Sequence, residues 1–478
     1  MVQPGRDAGS SLKAKPELVA VMAARVPSSF RDPSGFVFER EGRLYRQISS
    51  RYAGQFRKLV ECRFLDKLVE ERLLIPFEIV SREEALTEDA DVVIRPDRVP
   101  TISYPYEWCF DQLRDAALAT LEIQRLSLES GFTLRDATAY NIQFHRGKPT
   151  LIDTLSFEDL AEGAPWRAYR QFCQHFLAPL CLAAYLDPRL IALSQMHLDG
   201  IPLDLATKML PNRAHLNSGV AIHLLMHAKA NANQDAVPRT GRAVGKHGHL
   251  ALVDSLRRTV AGLKPPTGGT EWSNYYSETN YSESAQTSKR AAIAALLNLV
   301  DEPVATCWDL GANNGEYSRL ALEKGWHTVA WDMDHSAVSA AYAYAKRHGE
   351  ANLLPLVQNF ASPSPRIGWN LAERESLADR GPADIALALA LVHHLAIGNN
   401  VPLTAVAEFL STLGRWVVIE FVPKEDSQVQ RMLKGREDIF DRYNLDEFER
   451  AFSERFETIR CMPIRDSLRS VHLLRRRA

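Results

Sequence analysis

The stretch WDLGANNGEYS, residues 308–318, lies where an apolar run gives way to a helical pattern. The run before it, VATCWDLG (304–311), is typical of a buried β-strand. Glycine at positions 311 and 315 lets the backbone turn sharply and come close to a ligand, because a side chain at either position would obstruct both. The stretch therefore predicts a ligand-binding turn between a strand and a helix.

Two acidic residues accompany this turn. Asp332 lies 21 residues beyond Gly311, near the end of the next predicted strand, HTVAWDMD. A carboxylate at that place can accept both hydroxyl hydrogens of a ribose. Asp309 directly precedes the glycines and is suited to receive a cationic amine. Together these residues predict a nucleoside-binding site.

Strands and helices alternate through the rest of the second half. The pattern predicts strands at residues 304–311, 327–334, 352–360, 383–394 and 415–422, and helices at 319–325, 336–349 and 403–414. This alternation favours an α/β fold in which a mostly parallel sheet is covered by helices on both faces. A helix at 445–456 and two strands, at 456–464 and 467–477, are expected to add an antiparallel edge.

The motif D309-L-G311-A-N313-N-G315 resembles that of the class I S-adenosylmethionine-dependent methyltransferases: acidic residue, x, Gly, x, Gly or Asn, x, Gly. The dinucleotide fingerprint G-x-G-x-x-G differs, since Asn313 takes the place of its middle glycine, although an NAD(P) oxidoreductase stays the alternative. The resemblance covers residues 270–478 and implies a Rossmann-like seven-stranded methyltransferase sheet. Residues 352–400 also look like a bacterial group of methyltransferases, some named nodulation proteins, which indicates no substrate.

The resemblance implies S-adenosyl-L-methionine as cofactor and a set of residues that bind it. Asp309 and the loop Gly311–Gly315 would hold its amino-acid part, Asp332 its ribose, and Asn359 with Phe360 its adenine. The full predicted set is Asp309, Gly311, Ala312, Asn313, Gly315, Asp332, Met333, Asn359, Phe360 and Tyr281. Tyr281 enters with Tyr275 and Tyr276 as a candidate lid over the cofactor, and simple packing is the alternative for all three.

Catalytic candidates come from the ends of the predicted fourth and fifth strands. Methyl transfer is an in-line displacement, so the enzyme aligns the acceptor and removes its proton. His393 and His394 end the fourth strand, and a histidine that titrates near neutrality can take that proton. Adjacent residues of an extended strand point to opposite faces, so at most one of the two should face the cleft. Glu420 is a second candidate base or substrate contact; structural hydrogen bonding or capping is the alternative for all three.

The absence of two sequence motifs limits the classes of methyl acceptor that we expect. The fourth predicted strand lacks Asn-Pro-Pro-Tyr, a motif that resembles that of enzymes methylating the amino group of adenine or glutamine. It also lacks the Pro-Cys nucleophile of enzymes that methylate a cytosine carbon. An oxygen or nitrogen of a small-molecule or glycan-like acceptor is therefore expected, rather than a base within DNA. No cluster of carboxylates indicates a required metal.

The first half contains FTLRDATAYNIQFHRGKPTLIDTLSFE, residues 132–158. Its Asp136, Asn141 and Asp153 follow the order and nearly the spacing of the catalytic Asp, the metal-binding Asn and the second metal-binding Asp of kinases. Residues 30–228 thus resemble protein kinases and antibiotic (aminoglycoside) phosphotransferases. The resemblance implies an α+β kinase-like domain with a candidate phosphotransfer site that uses ATP and Mg²⁺.

The kinase resemblance has clear departures. Leu134 stands where His of His-Arg-Asp is expected, Thr154-Leu155 replaces Phe-Gly after Asp153, and no glycine-rich phosphate loop is visible. The nearest cation on the predicted strand is Arg46, which is not equivalent to a phosphate-binding lysine. Three interpretations stay open: an active phosphotransferase, a substrate-binding module that serves the methyltransferase, or turns capped by Asp and Asn.

The length, charge and cysteine content of the chain limit the classes of protein that we expect. With 478 residues, 46% hydrophobic and 24% charged, the chain is expected to form two or three soluble domains. A formal charge of −2 gives no reason to expect nucleic-acid binding. Six cysteines without a CxxC pair indicate neither a zinc site nor a disulfide framework, and a cytoplasmic protein without a membrane span is expected.

Changes in composition set the predicted domain boundaries. Polar, glycine-containing stretches at 229–249 and 264–270 separate the two halves. The prediction is a flexible N-terminus (1–29), a kinase-like domain (30–228), a linker with a short helix (229–269) and a methyltransferase domain (270–478).

Overall fold

The computed structural model describes residues 23–226, 244–266, 282–435 and 437–477. Contacts divide the chain into two compact units, Met1–Ala53 with Phe77–Pro96, and Gly54–Pro76 with Asp97–Ala478. Within the described ranges, no helix is both long enough and apolar enough to span a membrane.

The first unit holds a five-stranded antiparallel sheet. Its strands are β1 (Ala24–Arg25), β2 (Gly35–Arg40), β3 (Arg43–Ser49), β4 (Phe77–Val80) and β5 (Ala90–Pro96), in the order β1-β2-β3-β5-β4. The alternation of apolar and polar residues over 35–48 predicts a hairpin around Glu41-Gly42, which the structure confirms. Both residues have the positive φ, 52° and 73°, that a tight turn between twisted strands needs. The buried rings of Phe38 and Tyr45 stack at 5.3 Å on its apolar face. Strand β4 was not predicted.

The second unit begins with a mainly helical region. Its elements are α1 (Ser50–Glu61, which starts in the first unit), α2 (Phe64–Glu70), α3 (Phe110–Glu129), β6 (Phe132–Leu134), β7 (Ile142–His145), β8 (Lys148–Leu151), β9 (Phe157–Asp159), α4 (Tyr169–Phe172), α5 (Ala178–Tyr185), α6 (Leu193–Met196), α7 (Leu203–Met209), α8 (Ser218–Val220) and α9 (Lys246–Gly262). Two hairpin-like pairs, β6 with β9 and β7 with β8, carry the kinase-like segment. Whether this region is a kinase domain stays a prediction.

Apolar residues at near-helical spacing predict a single helix over residues 55–74, and that prediction is wrong. The chain forms α1 and α2 instead, and between them Arg63 has a φ of 56°. A residue in the left-handed region cannot continue a right-handed helix, so the apolar pattern is kept while the helix axis is broken. The apolar side chains of both helices, including Phe56 and Leu68, are nevertheless buried.

The helix expected inside the linker is α9, and it is 17 residues long rather than short. Its first residue, Lys246, donates from Nζ to the backbone oxygen of Glu129 at the end of α3, at 3.0 Å. His249 Nε2 lies 2.9 Å from Ala164 O, and Ser255 Oγ lies 2.8 Å from His223 Nε2. Helix α9 therefore packs into the helical region, while the predicted domain boundaries themselves stay predictions.

The rest of the second unit is a seven-stranded mixed sheet with helices around it. Its strands are β10 (Thr306–Leu310), β11 (His327–Asp332), β12 (Leu353–Val357), β13 (Ala383–Ala388), β14 (Gly414–Phe421), β15 (Phe456–Pro463) and β16 (Ser470–Arg476), and its helices are α10 (Glu283–Leu297), α11 (Ser318–Leu322), α12 (His335–His348), α13 (Leu403–Leu413), α14 (Ser427–Leu433) and α15 (Leu445–Ser453). The order is β12-β11-β10-β13-β14-β16-β15. The first five are parallel, and β16 runs antiparallel to both β14 and β15, which confirms the predicted seven strands and antiparallel edge.

This order contains a topological switch point. The chain moves from β10 outward through β11 to β12, and then returns to the other side of β10 with β13. Helices leave the sheet in opposite directions there, so a crevice opens at the carboxyl ends of β10 and β13, where ligands of open α/β sheets bind. Buried side chains such as Cys307, Leu387 and Val418 fix these strands against α10, each large apolar group contributing about 1.5–3 kcal/mol.

Candidate functional site

A pocket lies at the carboxyl ends of the four strands around the switch point. The residues that line it are Gln286, Lys289, Asp309, Gly311, Ala312, Asn313, Tyr317, Asp332, Met333, Gln358, Asn359, Phe360, Ala361, Leu389, Ala390, Leu391, His394, Leu395 and Asn399. The structure thus brings together eight of the ten predicted cofactor residues. Gly315 lies in the turn but not in the lining, and Tyr281, with Tyr275 and Tyr276, lies outside the described residues.

The predicted turn after β10 is formed by backbone hydrogen bonds to the neighbouring strand. The N–H groups of Gly311 and Ala312 both donate to Trp331 O, at 2.9 and 2.8 Å. Gly311 and Gly315 have φ of 82° and 78°, and a Cβ built on Gly311 would meet Leu391 only at an ordinary 3.7 Å. The protein therefore needs glycine there for its backbone conformation, and the space that a side chain would take lies on the pocket side.

Asp332 ends β11 with its carboxylate at the pocket wall. It accepts hydrogen bonds from the backbone N–H groups of Asn313, at 2.7 Å, and Asp334, at 2.8 Å. Burial raises the pKa of its carboxyl to about 6, against the effect of these donors. Two backbone donors hold the group in place, and each oxygen keeps a lone pair for a ligand hydroxyl.

Asp309 is the more deeply buried carboxyl of the pocket, with 2% exposure. Ser318 Oγ donates to it at 2.6 Å. Burial raises its pKa to about 7, and the positive charge of Lys289 acts in the opposite direction. A cationic ligand in the pocket would stabilise the ionised form of this group.

Lys289 is a pocket residue that the sequence analysis missed. Its side chain is 5% exposed, its Nζ lies 2.7 Å from Glu420 Oε2, and it stands 4.7 Å from the centre of the Tyr317 ring. The signal was present in the sequence, because Lys289 shares the apolar stripe of α10 with Ala285 and Ile293. A lysine on such a stripe is buried only when it is paired.

Glu420 does not line the pocket. It is fully buried on β14 and forms ion pairs with Lys289 and, at 3.4 Å, with Arg469 Nη1. Arg469 in turn binds Asp426 through two hydrogen bonds of 2.7 and 3.0 Å. The structure therefore places Glu420 as the group that holds Lys289, and its predicted contact with a substrate stays without structural support.

The two histidines are not on a strand, which corrects the prediction for residues 383–394. Strand β13 ends at Ala388, the backbone turns at Ala390 with a φ of 51°, and His394 begins a π-helical turn that runs to Gly398. The argument from opposite faces of a strand therefore does not apply.

Only one histidine reaches the pocket. His394 lines it, and burial, together with the charge of Arg469, lowers its pKa to about 4. His393 is 1% exposed and outside the lining, and burial holds its pKa well below the ordinary value. His394 is neutral at physiological pH and has the free base form that proton abstraction needs, whereas His393 packs behind it with the ring centres 4.2 Å apart.

The segment after β12 forms the remaining wall. Asn359 and Phe360 line the pocket as predicted, and Gln358, which was not predicted, lines it beside them. Gln358 N donates to Asp332 O at 2.8 Å, so this wall is tied to the end of β11. A nucleoside with its ribose at Asp332 would extend its base toward these residues.

The predicted phosphotransfer residues also come together, in the helical region. Burial, and then the charge of Asp153, raises the pKa of Asp136, and Asn141 and Thr138 donate hydrogen bonds to its carboxylate. Ser156 Oγ donates to Asp153 Oδ2 and lies 3.4 Å from Asn141 Nδ2. Over the described part of the chain, no group of three or more His, Cys, Asp or Glu side chains could hold a metal ion.

The strand order and the place of the pocket define the class of the second half: a Rossmann-like α/β domain with a ligand pocket at its switch point. No family model matches the chain. The chain belongs to the NoeA family, because the nodulation protein NoeA of Rhizobium meliloti (strain 1021) is 34% identical over 462 residues, which cover 95% of this chain and 96% of that protein. The match includes the first half, so both halves occur together in that relative.

Solved structures overlap with parts of the chain. The magnesium protoporphyrin IX methyltransferase ChlM of Synechocystis PCC 6803, with bound SAH, is 16% identical over 43% of this chain and 93% of that chain, with a TM-score of 0.31. The bifunctional kinase-methyltransferase WbdD is 15% identical over 42% of this chain and 41% of that chain, with a TM-score of 0.29. Because both scores are low, the assignment of the fold rests on the strand order of the chain itself.

Proposed function

We propose that the chain transfers the methyl group of S-adenosyl-L-methionine to an oxygen or nitrogen nucleophile of a small-molecule or glycan-like acceptor. The observation that carries this proposal is the pair of carboxylates, the buried Asp309 and the partly buried Asp332, that line one pocket at the switch point of the sheet.

The charge of the pocket favours this cofactor over a dinucleotide. Lys289 is the one Lys or Arg among the described residues that line the pocket, and its charge is already paired with Glu420. A pyrophosphate would meet two carboxylates there, which repel it. An ammonium and a sulfonium are attracted by the same groups, so the electrostatics argue against the NAD(P) alternative.

Each residue of the pocket has a role in this proposal. Asp309 receives the ammonium of the cofactor, Asp332 receives the ribose hydroxyls, and the glycine turn lets the backbone approach the ligand. When bound, S-adenosyl-L-methionine supplies an electrophilic methyl group on a positively charged sulfur. His394 lines the same pocket, together with the apolar side chains of Leu391 and Leu395.

His394 is the group that we assign to deprotonation of the acceptor. Its neutral ring can accept a proton from a hydroxyl or an amine as that group attacks. Burial and the charge of Arg469 lower the pKa of the ring to about 4, so His394 is a weak base that takes up the proton as the acceptor attacks.

Cofactor binding tests the proposal most directly. Titration calorimetry with S-adenosylhomocysteine should show saturable binding to the full chain, and Asp332→Ala should weaken it at least about 100-fold, because a ribose would lose two hydrogen bonds to a charged acceptor. Asp301→Ala changes an exposed aspartate before β10 and serves as the control. Equal affinity of Asp332→Ala and the unaltered chain would remove the assignment of this site.

A second candidate function is ATP-dependent phosphotransfer in the helical region. It is favoured by the convergence of Asp136, Asn141 and Asp153, two carboxylates and an amide that suit a magnesium nucleotide. If this region is active, ATP with Mg²⁺ should raise the unfolding temperature of the chain, and Asp153→Asn should remove the shift. A chain that shows no shift with ATP and Mg²⁺ instead favours a substrate-binding module.

A further inference from the structure

The side of the pocket that follows β13 is built without charged residues. Its lining residues are Leu389, Ala390, Leu391, His394, Leu395 and Asn399, which we call the β13 wall. Between residues 389 and 402 the chain contains no Asp, Glu, Lys or Arg. Leu389 and Leu395 are 6% and 5% exposed, so both pack into the protein behind the pocket surface. The β13 wall therefore offers a ligand apolar surface, one imidazole and one amide.

Leu391 lies where the β13 wall meets the glycine turn after β10. The backbone reverses at Ala390, which has a φ of 51°. A Cβ on Gly311 would lie 3.7 Å from Leu391 Cδ1, so the leucine is beside the turn that is proposed to approach the cofactor. In the proposed function, the ends of β10, β11 and β12 hold the cofactor, which leaves the β13 wall for the acceptor. An acceptor group between His394 and the cofactor would therefore contact apolar side chains.

The charged residues elsewhere in the pocket are already engaged. Among the residues that the structure describes, those with a charge that line the pocket are Lys289, Asp309 and Asp332. Lys289 Nζ lies 2.7 Å from Glu420 Oε2, and the proposed function assigns both aspartates to the cofactor. A cationic acceptor would then have no carboxylate of its own, and an anionic acceptor would have no cation. An unpaired charge at an apolar wall is disfavoured, and a sulfonium would also repel a cation.

The proposed base discriminates between a hydroxyl and an amine in the same direction. An alkyl amine is an ammonium at neutral pH, with a pKa of about 10, and its nitrogen cannot attack until a proton leaves. Burial and the charge of Arg469 lower the pKa of His394 to about 4, so the ring is too weak a base to take that proton. A hydroxyl needs no earlier deprotonation, because its proton becomes strongly acidic while the oxygen gains a carbon substituent, and a weak base accepts it at that stage.

We propose that the acceptor is an uncharged hydroxyl group, methylated on oxygen, and that Leu391 determines this specificity by keeping the β13 wall apolar beside the cofactor turn. The inference rests on the proposed function and narrows its acceptor from oxygen or nitrogen to a neutral oxygen. The hydroxyl oxygen forms the bond to the methyl carbon, the carbon–sulfur bond breaks with its electron pair on sulfur, and the hydroxyl proton passes to His394.

The experiment compares matched ligands on the full chain. Cyclohexylmethanol, cyclohexylmethylamine and cyclohexanecarboxylate share one apolar ring and are neutral, positive and negative near neutral pH. Each is titrated by ligand-observed NMR into the chain saturated with S-adenosylhomocysteine. The alcohol should bind saturably, and the two ions should bind at least about tenfold more weakly, because each would bring an unpaired charge to the wall. An ion that binds as tightly as the alcohol, or an alcohol that does not bind, would overturn the inference.

Leu391 provides a matched pair of variants. Leu391→Asp places a carboxylate on the β13 wall, so the amine should now bind more tightly than the alcohol. Leu391→Asn has nearly the same shape without the charge, and the alcohol should stay the preferred ligand. Leu391 is partly exposed, so a polar side chain can be hydrated there. Equal preferences in the two variants would remove the role of Leu391 in specificity.

Titration of S-adenosylhomocysteine alone separates this inference from the proposed function. If the unaltered chain does not bind it, the proposed function is wrong, and this inference is wrong with it. If the unaltered chain binds it but shows no preference for the alcohol, only the assignment of a neutral hydroxyl acceptor is overturned. The comparison of the three ligands on the unaltered chain does not depend on the folding of either variant.

Discussion

Asp309 with Asp332 in the pocket of the sheet, and Asp136 with Asp153 in the helical region, form two clusters of carboxylates. The two clusters differ in the charged groups that surround them. In the pocket of the sheet, Asp309 and Asp332 are accompanied by a lysine whose own charge is neutralised by Glu420. In the helical region, the charge that most raises the pKa of Asp136 is that of Asp153. Both clusters would be stabilised by a cation from a ligand. Under the two proposals above, the first cluster would bind the ammonium of a methyl donor, and the second would bind a magnesium nucleotide.

Lys289→Met should have the largest effect on the first cluster. It removes the closer partner of the buried Glu420 and leaves that carboxylate with Arg469 alone, at 3.4 Å, so the free energy of unfolding should fall by up to about 3–5 kcal/mol in urea denaturation. The double variant Lys289→Met, Glu420→Met should regain most of that stability, because it buries no unpaired charge. A single variant as stable as the unaltered chain would mean that the pair is not formed.

The pH dependence of cofactor affinity should be the next largest effect. Burial raises the pKa of Asp309 to about 7, and a bound ammonium would favour the ionised carboxylate, so binding should release a proton. Affinity for S-adenosylhomocysteine is therefore full above pH 7 and should be about tenfold weaker at pH 6 than at pH 8. Calorimetry in buffers with different ionisation enthalpies measures the released proton.

Two variants test which cluster of carboxylates causes the pH dependence of cofactor affinity. Asp309→Asn should remove most of the pH dependence, because an amide does not titrate in this range, and should leave the smaller part that comes from Asp332 with its pKa of about 6. Asp153→Asn should leave it unchanged, because that residue belongs to the other cluster. An Asp309→Asn variant that keeps the full dependence would assign the proton to another group of the pocket.

Ser156→Ala should produce the smallest effect. It removes a hydroxyl that donates to Asp153 and contacts Asn141, so the free energy of unfolding should fall by about 0.5–1.5 kcal/mol. Affinity for S-adenosylhomocysteine should not change. A change in that affinity would show that the two clusters communicate, contrary to the separation drawn above.

The sequence predicts those features of the site that depend on residues close together along the chain. The turn after β10 is local, since two glycines with positive φ lie within five residues of each other. The position of Asp332 follows from the regular length of one strand-helix-strand unit. These features could be predicted because short-range geometry determines them.

The sequence analysis missed two kinds of feature. The first is contacts between residues far apart in sequence, and the second is ends of strands and helices at which the pattern of apolar residues does not change. Glu107 and Ser364 are 257 positions apart, and no periodicity pairs them. The run ALALAL continues past the end of β13, so the alternation of residues hides the turn at Ala390. Arg63 likewise separates α1 from α2 through its left-handed backbone conformation, and arginine is not a residue type that predicts this conformation.

Glu107 and Arg380 form a buried ion pair, and this pair also bears on how the chain can be divided. A fragment that begins at residue 270, where the composition suggests a clean cut, would retain Arg380 and Ser364 but lose the carboxylate that both of them contact. Asp115 binds Tyr342 and Lys346 in the same way, through hydrogen bonds of 2.8 and 2.6 Å. The seven-stranded sheet therefore depends on side chains that precede residue 270, and a fusion or domain exchange at that boundary would leave Arg380 as a buried charge without its partner.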